Sequence, residues 1–158
     1  MQSSGDIEQR YKEYFYKARR NFQTADHMAY VTLSVLKENR LLIKIIHELS
    51  KSALNLIRAF LWYEYAYKRI KLYHHPDKNL KTFKEKIATK YLNNNEINDI
   101  IRVIDVERKH RQARMDFVKK EKFVIFLGEK YEIITTEIVK KLLNSVRNAI
   151  NKFPADFT

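Results

Sequence analysis

The sequence predicts an all-α fold of about five helices, two of them long, with a small β-hairpin near residues 123–134. Three observations carry this. Only two Gly and two Pro occur in 158 residues, where average usage would give roughly eleven and eight, so the punctuation that sheets and tight turns demand is missing. Apolar residues recur at helical spacing over most of the chain. One stretch, KFVIFLGEKYEIIT, breaks that pattern with β-branched and aromatic residues on either side of Gly128.

Taken in order, Asp6 and Gln9 read as a capping-box start, and Tyr11, Phe15, Ala18, Phe22, Ala25, Ala29, Leu33 and Leu36 continue one long helical stripe. Asn39 caps a second helix. There Leu42, Ile45, Ile46, Leu49, Ala53, Leu56, Ile57 and Phe60 form the apolar face, while Lys44, His47, Lys51, Asn55 and Arg58 lie opposite. Running to about Tyr73, this helix is on the order of 50 Å long. Pro76 ends it, because the residue before a proline is disfavoured in helical geometry. Thr82–Leu92 forms a short third helix stopped by Asn93-Asn94-Asn95.

A fourth helix starts near Glu96 with apolar residues on two sides: Ile97, Ile100, Ile101, Ile104, Met115 and Val118 on one, Val103, Val106, Ala113 and Phe117 on the other. Arg108 and Arg111 fall in the first stripe and His110 in the second. Phe123–Leu127 and Tyr131–Ile134 form the hairpin, which must lean on the helices because a lone hairpin is marginal. Thr135 or Thr136 caps a last helix through Val139, Leu142, Leu143, Val146 and Ile150, closed by Pro154. No repeat or linker divides the chain, so residues 1–158 are expected to form a single helical domain. That length suffices to bury roughly 68–70% of the unfolded surface.

The net charge is +12, the pI is near 9.8, and the excess is localised. Residues 66–90 and 108–122 together supply eleven of the twelve excess positive charges. Such patches are the footprint of a protein that meets phosphate or another acidic surface. With no Cys there is neither a disulfide framework nor a thiolate metal site, which fits a cytoplasmic protein. The beginning of the chain lacks an apolar leader segment and no apolar run is long enough to span a bilayer, so no membrane association is expected. Phosphate-cradling glycine loops and nucleophile elbows are absent. Adjacent His74 and His75 diverge and form no metal site with Asp77, so neither metal nor cofactor is expected.

The best binding candidate is the cluster Arg108, Lys109, His110, Arg111, Arg114, Lys119, Lys120 and Lys122, since guanidinium forks match phosphate geometry and neighbouring rings can stack on bases. Lys68, Arg69, Lys71, Lys81 and Lys84 form a second patch. The structural alternative pairs Arg108 and Arg111 internally with Glu107, Asp105 or an acid on another helix.

The succession of a long helix, a longer one, a short third, a basic fourth and a closing helix resembles the HEPN superfamily of prokaryotic helical bundles. Ribonucleases of that superfamily carry an Arg, four to six intervening residues and a His, acting on RNA across a dimer interface. On the basic helix Arg102 and His110 are separated by seven residues. Arg20 and His27, Arg40 and His47, and Arg69 with His74 or His75 fit the spacing elsewhere. The resemblance therefore implies a non-catalytic module, a homodimer as HEPN-like bundles suggest, binding RNA or a protein partner such as a nucleotidyltransferase. The alternative is a ribonuclease acting through Arg40 and His47. A local resemblance covers AYKRIKLYHHPDKN at 66–79, which looks like the second helix and loop of a J-domain. It implies an Hsp70 co-chaperone acting through His75, Pro76 and Asp77.

Overall fold

The computed structural model describes residues Ser3–Pro154. Helix α1 (Ser4–His27) continues through a π-helical turn, Met28–Thr32, into α2 (Leu33–Leu36). The long first stripe is thus one helical rod. Its cap is Ser3, not Asp6. The Ser3 hydroxyl accepts from the Asp6 amide at 3.2 Å while the Asp6 carboxylate accepts from Ser3, so Asp6 is the third residue of the box rather than its head. The rod ends at Lys37, in left-handed backbone at φ 52°, whose amide bonds to the Leu33 carbonyl at 2.8 Å.

Helix α3 (Leu41–Ala66) follows without a side-chain cap. The Asn39 side chain instead donates from Nδ2 to the Lys120 carbonyl at 2.7 Å, tying this corner to a distant turn. The helix stops well short of Tyr73. Buried Glu64 accepts from Arg69, Lys90 and Tyr91, and the Arg69 amide donates to the Glu64 carbonyl after a left-handed Lys68 at φ 60°. The chain is pulled back on itself where periodicity alone would let it run on.

Pro76 opens α4 (Pro76–Thr82) as well as barring helix before it, since its fixed φ suits the first helical position. A π-helical turn, Phe83–Ile87, leads into α5 (Ala88–Tyr91), so the third rod begins six residues earlier than its apolar spacing suggests. Asn93 and Glu96 form a capping box for α6 (Asn94–Gln112).

The largest correction lies after Gln112. Residues assigned from the sequence to the fourth helix form strand β1 (Met115–Lys119), which pairs antiparallel with β2 (Lys122–Leu127); β3 (Lys130–Thr135) completes a sheet in the order β1-β2-β3. The two-sided apolar pattern at 115–118 is strand alternation, and pairing with β2 satisfies backbone groups that α6 would otherwise have had to satisfy. Gly128, at φ 62°, turns β2 into β3. Thr135 caps α7 (Thr136–Asn151) by accepting from the Ile138 amide at 3.2 Å.

The fold is therefore mainly helical, five rods with a three-stranded sheet. Helix α3 is its centre, packed along α1 and against α6 and α7, with Leu42, Ile45, Ile46, Leu49, Ala53 and Phe60 fully excluded from solvent. Burial of each such large side chain contributes about 1.5–3 kcal/mol. Phe60, Phe15, Tyr63 and Phe153 interlock around the C-terminal half of α3. Cross-strand register gives the sheet two faces. Phe123, Ile125 and Ile134 are buried on one, where Asp116 and Glu132 meet α6. The other carries Phe117, Phe126 and Tyr131 together with Lys119 and Lys122. Among the described residues no helix is long and apolar enough to cross a membrane.

Candidate functional site

The first turns of α3 meet the last turns of α6 beside the C-terminal part of α1, leaving a cleft of about 520 Å³. Met28 and Ile43 give it apolar walls, and Thr24, Lys44, His47, Glu48, Glu107, His110 and Arg111 supply its polar groups. His47 Nδ1 lies 2.7 Å from Glu107 Oε1. His110, which also lines the cleft, has Nε2 3.1 Å from Asp116 Oδ2, and Asp116 Oδ1 is 3.6 Å from the Arg40 guanidinium. Of the pair Arg40 and His47, only His47 lines the cleft; Arg40, at the N-terminal cap of α3, reaches it indirectly through Asp116 and His110.

The chemistry follows from burial. The Glu107 side chain is 8% exposed and that of His47 51%, so a carboxylate held inside the protein positions an imbedded-edge imidazole that still reaches solvent. When His47 donates Nδ1–H to Glu107, its Nε2 carries the lone pair and can take a proton. Glu107 Oε2 is buried without a hydrogen-bond partner among the described residues. An unsatisfied buried acceptor costs about 1–3 kcal/mol, a cost that a donor entering the cleft would offset.

The basic cluster divides. Arg108 and Lys109 both reach Asp105 at 3.0 Å, and Lys109 also approaches Glu132 at 3.7 Å. Burial pushes the Asp105 carboxyl up, but the bonds from Lys109 and Arg108 outweigh it and hold it below the usual carboxylate range. These two cations are internally neutralised, though by Asp105 and Glu132 and not by Glu107. Arg111 lines the cleft. Arg114, Lys119, Lys120 and Lys122 are exposed and make no ion pair among the described residues. Arg102 is taken up by Glu132 at 3.7 Å.

His75, Pro76 and Asp77 stand exposed at the start of α4. The run from Tyr67 to His75 is turn and extended chain, so the helix that the J-domain resemblance places ahead of this tripeptide is absent.

Glu107 and Asp116 are the residues that sequence reasoning missed as site components. Glu107, His110 and Arg111 have the i, i+3, i+4 spacing of one helical face, which is a visible signal. Asp116 was hidden by the erroneous extension of α6. No protein-family model, curated protein or solved structure matches this chain.

Proposed function

We propose that the chain binds single-stranded RNA and cleaves it in the α1–α3–α6 cleft by acid–base chemistry. The observation that carries this reading is that two histidines line one cleft with Lys44 and Arg111, each paired to a carboxylate, His47 to Glu107 within the cleft and His110 to Asp116 behind it. His47 Nε2 removes the proton of a ribose 2′-hydroxyl. The 2′-oxygen bonds to the adjacent phosphorus, the P–O5′ bond breaks, and His110 returns a proton to the leaving oxygen. Lys44 and Arg111 offset the charge growing on the phosphoryl oxygens. The products are a 2′,3′-cyclic phosphate and a 5′-hydroxyl. The basic, mainly helical architecture is in keeping with a HEPN-like bundle, in which two copies would bring their clefts together.

The test is the product analysis of an end-labelled RNA. His47→Ala should slow cleavage about 10²–10⁴-fold, the usual contribution of a positioned acid or base. Glu107→Gln should slow it at least tenfold while leaving RNA affinity unchanged. A parent protein that yields no cyclic-phosphate ends, or cleavage indifferent to His47→Ala, removes the reading.

A second reading, RNA binding without cleavage, is favoured by Asp116, which engages Arg40 and His110 together. Arg111, Arg114, Lys119 and Lys122, which make no ion pair among the described residues, would then hold phosphates, while Phe117, Phe126 and Tyr131 on the outer sheet face stack on bases. It predicts RNA affinity with a log–log salt slope of roughly −3.5 for five neutralised phosphates, and intact RNA.

A further inference from the structure

A second cavity, of about 380 Å³, lies at the opposite end of α3 from the cleft, roughly 30 Å along that helix. Lys68, Arg69, Lys71 and Lys86 line it with Tyr73 and Thr82, and no carboxylate does. Lys68, Lys71 and Lys86 have no ion-pair partner among the described residues. Arg69 shares buried Glu64 with Lys90, so three uncompensated lysines and one paired arginine surround one concavity, and a multiply charged anion relieves the repulsion among them.

The cavity is also held in shape from both ends. At its start, Arg69 is fixed by a hydrogen bond from Nε to buried Glu64 and by stacking of its guanidinium on Tyr67 at 4.8 Å and Tyr63 at 5.8 Å. Lys68 is set by left-handed backbone at φ 60°, a conformation that a lysine adopts only where its surroundings impose it. At the far end the Asn79 side chain clamps Tyr73, accepting from its amide at 2.9 Å and donating to its carbonyl at 2.8 Å. Lys86 faces this loop from the π-helical turn after α4.

We infer that this cavity is a binding site for an oligophosphate, a chain of two or three phosphoryl groups, presented either as a free molecule or as the 5′-triphosphate end of an RNA. A monophosphate carries at most two charges against three unpaired lysines and the Glu64-bound Arg69, whereas a di- or triphosphate comes close to balance. Arg69 supplies the planar fork for bidentate contact and the three lysines supply point charges around it. The site is independent of the acid–base reading of the cleft, since it shares no residue with it.

Titration calorimetry of the whole chain with tripolyphosphate at low salt tests the assignment. The variant Lys68→Gln/Lys86→Gln should bind at least tenfold more weakly than the parent. Lys130→Gln/Lys140→Gln removes the same charge from the start of β3 and from α7, away from the cavity, and should bind as the parent does. Absence of tripolyphosphate binding by the parent, or equal weakening in the two double variants, overturns the proposal, because the charge would then act only as a diffuse field. Competition by matched RNAs carrying a 5′-triphosphate or a 5′-hydroxyl distinguishes the sources. Preference for the triphosphate assigns the site to RNA ends, and equal competition assigns it to free oligophosphate. RNA cleavage measured on Lys68→Gln/Lys86→Gln in parallel reports on the cleft separately.

Discussion

Glu64 shows how one buried acid organises its surroundings. It is 1% exposed, yet Lys90 at 2.8 Å, Tyr91 at 2.6 Å and Arg69 all donate to it. Burial pushes its carboxyl up, but those donors together hold it below the ordinary value of 4.5. A depressed folded-state value gives stability that is complete above pH 4.5 and lost as the pH falls through the folded value. Thermal melts should therefore show the melting temperature dropping below that pH, with Glu64→Gln abolishing this part of the fall. Burial, followed by the bond to Glu64, raises the Tyr91 phenol to about 12, and burial with the Tyr67 hydroxyl raises Tyr63 to about 12. Here the sign reverses. Stability is complete below pH 10 and is lost between pH 10 and 12. Tyr91→Phe should flatten that alkaline limb and cost about 1.5–3 kcal/mol at neutral pH through loss of a hydrogen bond to a charged acceptor.

Helix ends carry the next level of specification. Asn93 accepts from the Glu96 amide at 2.8 Å, and the Glu96 carboxylate accepts from both the Asn93 amide and, at 2.7 Å, Lys152 beyond the end of α7. Asn93→Ala should cost about 1 kcal/mol in chemical denaturation. The left-handed Lys37 that closes α2 is a position where glycine escapes the steric penalty of a Cβ. Lys37→Gly is expected to leave stability unchanged or raise it by up to about 1 kcal/mol, against a loss of similar size for glycine inside a helix. Strand β1 was misread because Met115, Phe117 and Val118 satisfy helical and strand periods alike over so few residues. The decision falls to β2, whose Phe123, Val124 and Phe126 stand opposite Val118, Phe117 and Met115.

Across the whole molecule, the charge and the core are arranged around α3. Phe60, fully buried, contacts Phe83, Tyr91 and Phe153 at ring separations of 5.9, 5.3 and 5.1 Å. Phe60→Ala should cost about 3–5 kcal/mol by equilibrium unfolding, since it opens a void where several elements meet. Basic side chains gather at both ends of α3. One group adjoins imidazoles and buried Glu107, and the other surrounds a cavity free of carboxylates.

The mainly helical class, the number of rods and the hairpin near 123–134 were legible in the sequence, because scarce Gly and Pro and sustained 3.6-residue periodicity are local signals. The sequence also showed the localisation of the charge. The tertiary structure decided where the rods end and which charges are free. Glu64 pulls the chain back after Ala66, and β2 draws residues 115–119 out of α6. Asp105 and Glu132 neutralise Arg108 and Lys109, while Glu107, three residues ahead of His110, turns to His47, sixty positions away. Ion pairing and strand pairing act between residues far apart in the chain, and a periodicity read along one segment contains no information about what lies across from it.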